Sequence, residues 1–244
     1  MEHKGVARVA FVAIVIVLVV GAVSIAYIMD LTYSGTSTNT MSVETPLTVK
    51  NLNDIFGNFS ELSFRVSFQE PTQSNSTFAA TYNFNAEVIN RNSLSNGEHT
   101  TVVNITQASF SSTLSETSRT SAIIYLAQNG TALTATIDGR NTTSALANAY
   151  LFVFESSFND SSATIQSALQ NPATTSLTYE GSSNSQEFGN LTMQILTFRG
   201  ANTTISAGDL PNSKFSIASY ISTQVKVNGT VEPWSYQLMA ATQT

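Results

Sequence analysis

Residues 62–69 read Leu-Ser-Phe-Arg-Val-Ser-Phe-Gln. Leu62, Phe64, Val66 and Phe68 take every second position, with Ser63, Arg65, Ser67 and Gln69 between them. Strand side chains alternate between two faces, so a period of two predicts a strand with one buried and one wet face. The pattern returns, longer, in Phe78, Ala80, Tyr82, Phe84, Ala86 and Val88. A third strand is expected over residues 100–110. Residues 121–127 are apolar and β-prone, Asn129-Gly130 follows, and Leu133, Ala135 and Ile137 alternate after it. Asn-Gly supplies the positive φ of a tight hairpin turn, and Asp138-Gly139 ends the returning strand. The same logic places a second hairpin on Asn228-Gly229, from Phe215, Ile217, Ile221, Val225 and Val227 into residues 231–240.

Helical spacing interrupts this pattern in three places. Val49, Leu52, Ile55, Phe56 and Phe59 predict a short amphipathic helix over residues 47–60. Leu146, Tyr150, Val153, Phe154 and Phe158 predict a second, and Ile165, Ala168 and Leu169 a third that stops at Asn171-Pro172. Strands are expected again near 176–180 and 187–199. The order is helix, five strands, two helices, four strands. Long strands on short links predict an antiparallel meander, and the helices are its natural cover. The fold class is thus α+β and mostly β: a curved antiparallel sheet of about nine strands behind an N-terminal transmembrane helix.

That element order, together with the segment Phe-Gly-Asn-Leu-Thr-Met-Gln-Ile-Leu-Thr-Phe at 188–198, resembles archaeal membrane-anchored surface proteins with a LolA/LppX-like half-barrel. The resemblance spans about residues 47–240. It implies an incompletely closed antiparallel sheet wrapped around helices and a lipid or other hydrophobic ligand. None of that superfamily's ligand-contacting residues maps onto a position of this chain.

Before the domain, residues 9–28 form an uncharged apolar run, as a helix roughly 30 Å long, which matches a bilayer's hydrocarbon core. Lys4 and Arg8 precede it and Asp30 follows, so residues 1–8 are expected in the cytoplasm and residues 30–244 outside. Residues 29–46 are rich in Ser and Thr and read as a tether, with Met41, Val43 and Leu47 hinting at a short extended segment. Residues 47–244 are the domain. Two cleavage readings stand beside a retained anchor. Ala22-Val23-Ser24 is small-x-small, as signal peptidase prefers, and Lys4-Gly5-Val6-Ala7 resembles a prepilin-type site.

Composition narrows the function. Charged residues are 11% of the chain against an ordinary 25% or so, while Ser and Thr number 65 and Asn 21. The surface is therefore built from neutral polar groups. The net charge of −6 and the scattered basic residues argue against a nucleic-acid partner. Few ion pairs also predict a fold that tolerates acid. With no cysteine, disulfides and thiolate metal sites are excluded.

Asn-x-Ser/Thr occurs nine times, at Asn58, Asn75, Asn104, Asn129, Asn141, Asn159, Asn190, Asn202 and Asn228. About six are expected from composition, so the excess is modest, but an exterior location would make these N-glycan acceptors. Catalytic chemistry is not evident. His99, in a Ser-Asn-Gly-Glu-His turn, is the only histidine beyond the apolar run. There is no G-x-S-x-G, P-loop, dinucleotide fingerprint or EF-hand loop. No catalytic, metal-binding or cofactor-binding residue, and no cofactor, is assigned. The aromatic residues Tyr150, Phe154 and Phe158 on the helix, and Trp234 and Tyr236 in the last strand, are the candidate lining of a hydrophobic cavity. The expected function is a non-catalytic, membrane-anchored surface glycoprotein that binds a lipid or hydrophobic ligand. One alternative is a self-assembling filament subunit, pilin-like or joined through residues 41–47 as a donor strand. A secreted membrane-associated toxin is another.

Overall fold

A computed structural model describes residues 45–47, 52–71, 77–95, 97–110, 116–170, 177–227 and 230–244. The apolar run at 9–28, most of the tether, and Asn75 and Asn228-Gly229 lie outside the described residues. No described helix is long and apolar enough to cross a membrane.

The elements are β1 (Thr45–Pro46), α1 (Leu52–Asn58), β2 (Phe59–Pro71), β3 (Thr77–Ser95), β4 (Glu98–Phe110), β5 (Glu116–Leu126), β6 (Ala132–Ile137) and β7 (Arg140–Thr142). Then come α2 (Ser144–Gln170), β8 (Thr178–Phe188), β9 (Leu191–Arg199), β10 (Thr204–Asp209), β11 (Phe215–Val227) and β12 (Thr230–Gln243). Eleven strands form one open path, β7-β6-β5-β4-β3-β2-β12-β11-β10-β9-β8, and every pairing along it is antiparallel. Two meanders, β2–β7 and β8–β12, meet where the last strand pairs with the first long one. That seam runs from Trp234↔Phe68 to Gln243↔Phe59.

The period-two reading holds in the centre. Leu62, Phe64 and Val66 are buried, with Phe64 opposite Phe84 on one side and Leu238 on the other. Asn129-Gly130 turns β5 into β6, with Gly130 at φ 81°. Asp138-Gly139 then makes a further hairpin, to the three-residue β7.

Several expectations are corrected. The sheet has eleven strands on its path instead of nine, the two additions being the short β7 and β10, and the strand expected at 176–180 runs on to Phe188, so that the stretch expected at 187–199 holds the end of β8 as well as β9. Gly189, at φ 64°, breaks that stretch into a β8–β9 turn. A side chain there would also press on Ala241 O, 3.2 Å from the Cβ position. The two central helices are one continuous helix, α2, and the first helix is shorter than 47–60.

Gly189 also bridges Ala241 of β12. Strands lie about 4.8 Å apart, so four steps from β12 to β8 would separate them by roughly 19 Å in a flat sheet. The second meander must therefore curl back on itself. At the same end, α1 is tied down on three sides. Asn53 Nδ2 donates to Ala127 O and Gln128 O at 2.8 Å each. Arg91 donates to Phe56 O and Phe59 O at the C-terminal end of α1, where a cation suits the helix dipole. Thr244 N donates to Asn58 O at 3.1 Å. β1 runs parallel to the start of β11, and Leu47, buried, donates its N–H to Ser216 O at 2.9 Å.

Candidate functional site

Helix α2 begins at Thr143, whose hydroxyl accepts from Leu146 N at 3.3 Å as an N-cap. From there it packs on β6 of one meander and on β10 and β11 of the other. Its inner face meets an aromatic interior centred on Phe64, and one carboxylate, Glu232 of β12, is buried two residues before Trp234. The Phe64 ring lies 5.1 Å from Phe84, 5.1 Å from Phe154, 5.2 Å from Tyr236 and 6.4 Å from Phe158. Phe56 of α1 adds a stacked contact with Phe154 at 6.0 Å. The alternation in β2 and β3 placed Phe64 and Phe84 inside, but nothing in it singled them out as the hub.

The five aromatic residues chosen from the sequence do not all converge. Phe154, Phe158 and Tyr236 meet at Phe64. Trp234 stands one inward position further along β12, opposite Phe68, whose ring stacks on Tyr82 at 5.6 Å. Tyr150 is elsewhere: its hydroxyl donates toward Ile105 O and Thr120 O, at 3.1 and 3.2 Å, under the first meander. Burial pushes the Tyr150 phenol well above its usual range, and the Asp138 carboxylate adds to this.

The polar groups of this interior were not legible. Ser157, Ser161, Ser162 and Thr164 of α2 are buried. Each hydroxyl turns back on its own helix: Ser157 to Val153 O, Ser161 and Ser162 to Phe158 O, and Thr164 to Asp160 O. The Tyr236 hydroxyl is wholly buried and makes no hydrogen bond. Burial pushes its phenol pKa far up, opposed by the nearby Ser161 hydroxyl. An orphaned donor of this kind costs about 1–3 kcal/mol.

The sequons divide by environment. Asn129, Asn141, Asn190 and Asn202 are exposed, while Asn58, Asn104 and Asn159 are half-buried. His99 is exposed as the second residue of β4. Among the described residues no group of His, Asp and Glu is arranged to hold a metal.

No protein-family model matches the sequence, and no curated protein matches it either.

Proposed function

We propose that this chain is a non-catalytic, membrane-tethered extracytoplasmic protein whose curled sheet takes a lipid or other hydrophobic ligand against α2. The observation that carries the reading is the interior itself. A curled sheet encloses a wall of aromatic rings, with one buried carboxylate, Glu232, two residues before Trp234 on the inward face of β12, and is covered by a helix whose buried hydroxyls bond back to its own carbonyls. Such a cover can lift without stranding its own serine donors, and an apolar chain entering beneath it keeps the rings out of water. The orphaned Tyr236 hydroxyl would find a partner in the polar end of a ligand. The apolar run at 9–28 and the basic residues before it support attachment to a membrane with the domain outside.

The filament reading stands second. Part of the segment it would donate, Thr45–Pro46, is already paired with the chain's own β11.

Purification of the full chain from its native membrane in mild detergent, followed by mass spectrometry of an organic extract, tests the proposal. A stoichiometric acyl or isoprenoid species is the expected result. An extract with no species above a control membrane protein, joined with failure of the refolded chain to take up a fluorescent fatty acid, would overturn it.

A further inference from the structure

The sheet path has two end strands: β7 pairs only with β6 among the described residues, and β8 pairs with β9 and otherwise meets β12 only at its C-terminal end, through the Gly189–Ala241 bridge, which leaves the rest of β8 open. Open edges expose unpaired N–H and C=O groups and invite strand addition by another copy. Neither edge has the usual protection of a dense row of charges. β8 carries Glu180 and Glu187 in an otherwise neutral run of eleven residues, and the three-residue β7 carries only Arg140.

The exposed sequons sit at these edges. Asn141 lies on β7 itself, and Asn129 in the turn that joins β5 to β6. Asn190 lies in the β8–β9 turn, and Asn202 in the link between β9 and β10. All four are within two strands of an open edge, two by each. The remaining described sequons are elsewhere and are held differently. Asn104 sits in mid-strand on β4, paired on both sides to Glu87 and Ile123, with its Oδ1 accepting from Ser121 Oγ at 3.1 Å. Asn58 ends α1 with its Nδ2 donating to Asp54 O at 2.7 Å. Asn159 is inside α2.

Asn129 also shows which end of an acceptor amide is free. The sequon's own Thr131 donates both its N–H, at 3.1 Å, and its hydroxyl, at 2.7 Å, to Asn129 Oδ1. The carbonyl end is thereby fixed and the amide nitrogen is left toward solvent.

We infer that Asn129, Asn141, Asn190 and Asn202 are the N-glycan acceptors of the described domain, and that their glycans cap both sheet edges against edge-to-edge association. The inference rests on the extracytoplasmic location proposed above. In the step itself, Asn Nδ2 bonds to the anomeric carbon of a glycan carried on a lipid phosphate. The bond from that carbon to the phosphate oxygen breaks, the lipid phosphate leaves with the electron pair, and the amide proton is released to solvent. Nothing is oxidised or reduced. A folded acceptor must present an accessible amide on a segment not locked in a two-sided ladder, which the four edge sites satisfy and Asn104 does not.

Glycopeptide mass spectrometry of the full chain from its native host is the first arm, with protease accessibility on intact cells as an independent check of location. Glycan on the four edge sites and none on Asn104 is expected. Equal occupancy of Asn104, or bare edge sites on a domain that protease reaches from outside, would overturn the inference. A domain that protease cannot reach would overturn the location instead.

The second arm expresses Asn129→Gln/Asn141→Gln and Asn190→Gln/Asn202→Gln chains, and the unaltered chain in a host lacking the oligosaccharyl transferase. Light scattering in detergent then gives the assembly state. Dimers and larger species growing with concentration are expected from all three. Glycan-free chains that keep their far-ultraviolet spectrum and stay monomeric would contradict the capping role.

Discussion

The two halves of α2 rest on the same sheet but are held by different means. In residues 144–154 the buried positions are Ala147, Leu151, Val153 and Phe154, and two polar side chains reach the sheet. Asn148 Oδ1 accepts from Ala132 N at 2.9 Å, and Tyr150 donates to β4 and β5 carbonyls. In residues 156–165 four of the six buried positions are Ser157, Ser161, Ser162 and Thr164, and their hydroxyls bond only to carbonyls of the same helix. A buried Leu or Phe contributes about 1.5–3 kcal/mol of transfer free energy, whereas a serine has little apolar surface to bury. The first half is therefore anchored and the second is laid in place. On the ligand-binding reading proposed above, such a cover would open from its second half.

Substitutions can break or sharpen that contrast. Phe154→Ala should have the largest effect. It removes a ring that touches Phe56, Phe64 and Phe84 at the junction of the halves, and a loss of about 3–5 kcal/mol is expected by denaturant unfolding. Tyr150→Phe comes next. The Ile105 and Thr120 carbonyls, in part-buried contacts, lose their shared donor, which should cost about 1–2 kcal/mol, with increased exchange at the start of α2. The matching change in the second half, Ser157→Ala with Ser162→Ala, should stay within about 0.5 kcal/mol of the parent, since both hydroxyls bond carbonyls of their own helix. A loss as large as that of Tyr150→Phe would show that the halves are held alike.

The smallest effect concerns pH. Burial raises the Glu155 carboxyl pKa, and the charge of Asp54 on α1 adds to it. The folded state then binds a proton more tightly than the unfolded one, so stability declines as pH rises from 4.5 through the folded value. The only described surface pair with a shifted carboxyl, Glu116 with Arg119, pulls the other way. It is fully exposed, and solvent screens it. The Tm at pH 4.5 is expected to match or slightly exceed that at pH 7, and Glu155→Gln should remove the difference. A steep loss of Tm on acidification would contradict this balance.

The anchored half was the more legible one. Leu146, Tyr150, Val153 and Phe154 recur at helical spacing, and of these Val153 and Phe154 are buried, Tyr150 is half-buried and Leu146 is exposed, the inner face being completed by Ala147 and Leu151. The pattern then fades through Asn159, Asp160, Ser161 and Ser162, which read as a break between two helices. Serines are poor signals for a buried helix, yet their hydroxyls satisfy themselves on carbonyls three or four residues back and let α2 continue. In the sheet, β2 and β3 declared themselves through alternation because one of their faces is dry. β10 did not, being six residues long with Gly208 among them. The convergence of Phe154, Phe158 and Tyr236 on Phe64 depends on the β2–β12 seam. It joins residues far apart in sequence, and no local pattern encodes it.

Amide hydrogen exchange along α2, with and without a long-chain fatty acid, tests most directly whether the second half is the movable cover of a ligand site. In the free chain, residues 156–165 should exchange faster than residues 145–154, and saturating fatty acid should alter exchange in the second half while leaving the first unchanged. Equal protection along the whole helix, indifferent to added fatty acid, would contradict both the contrast between the halves and the ligand site built on it.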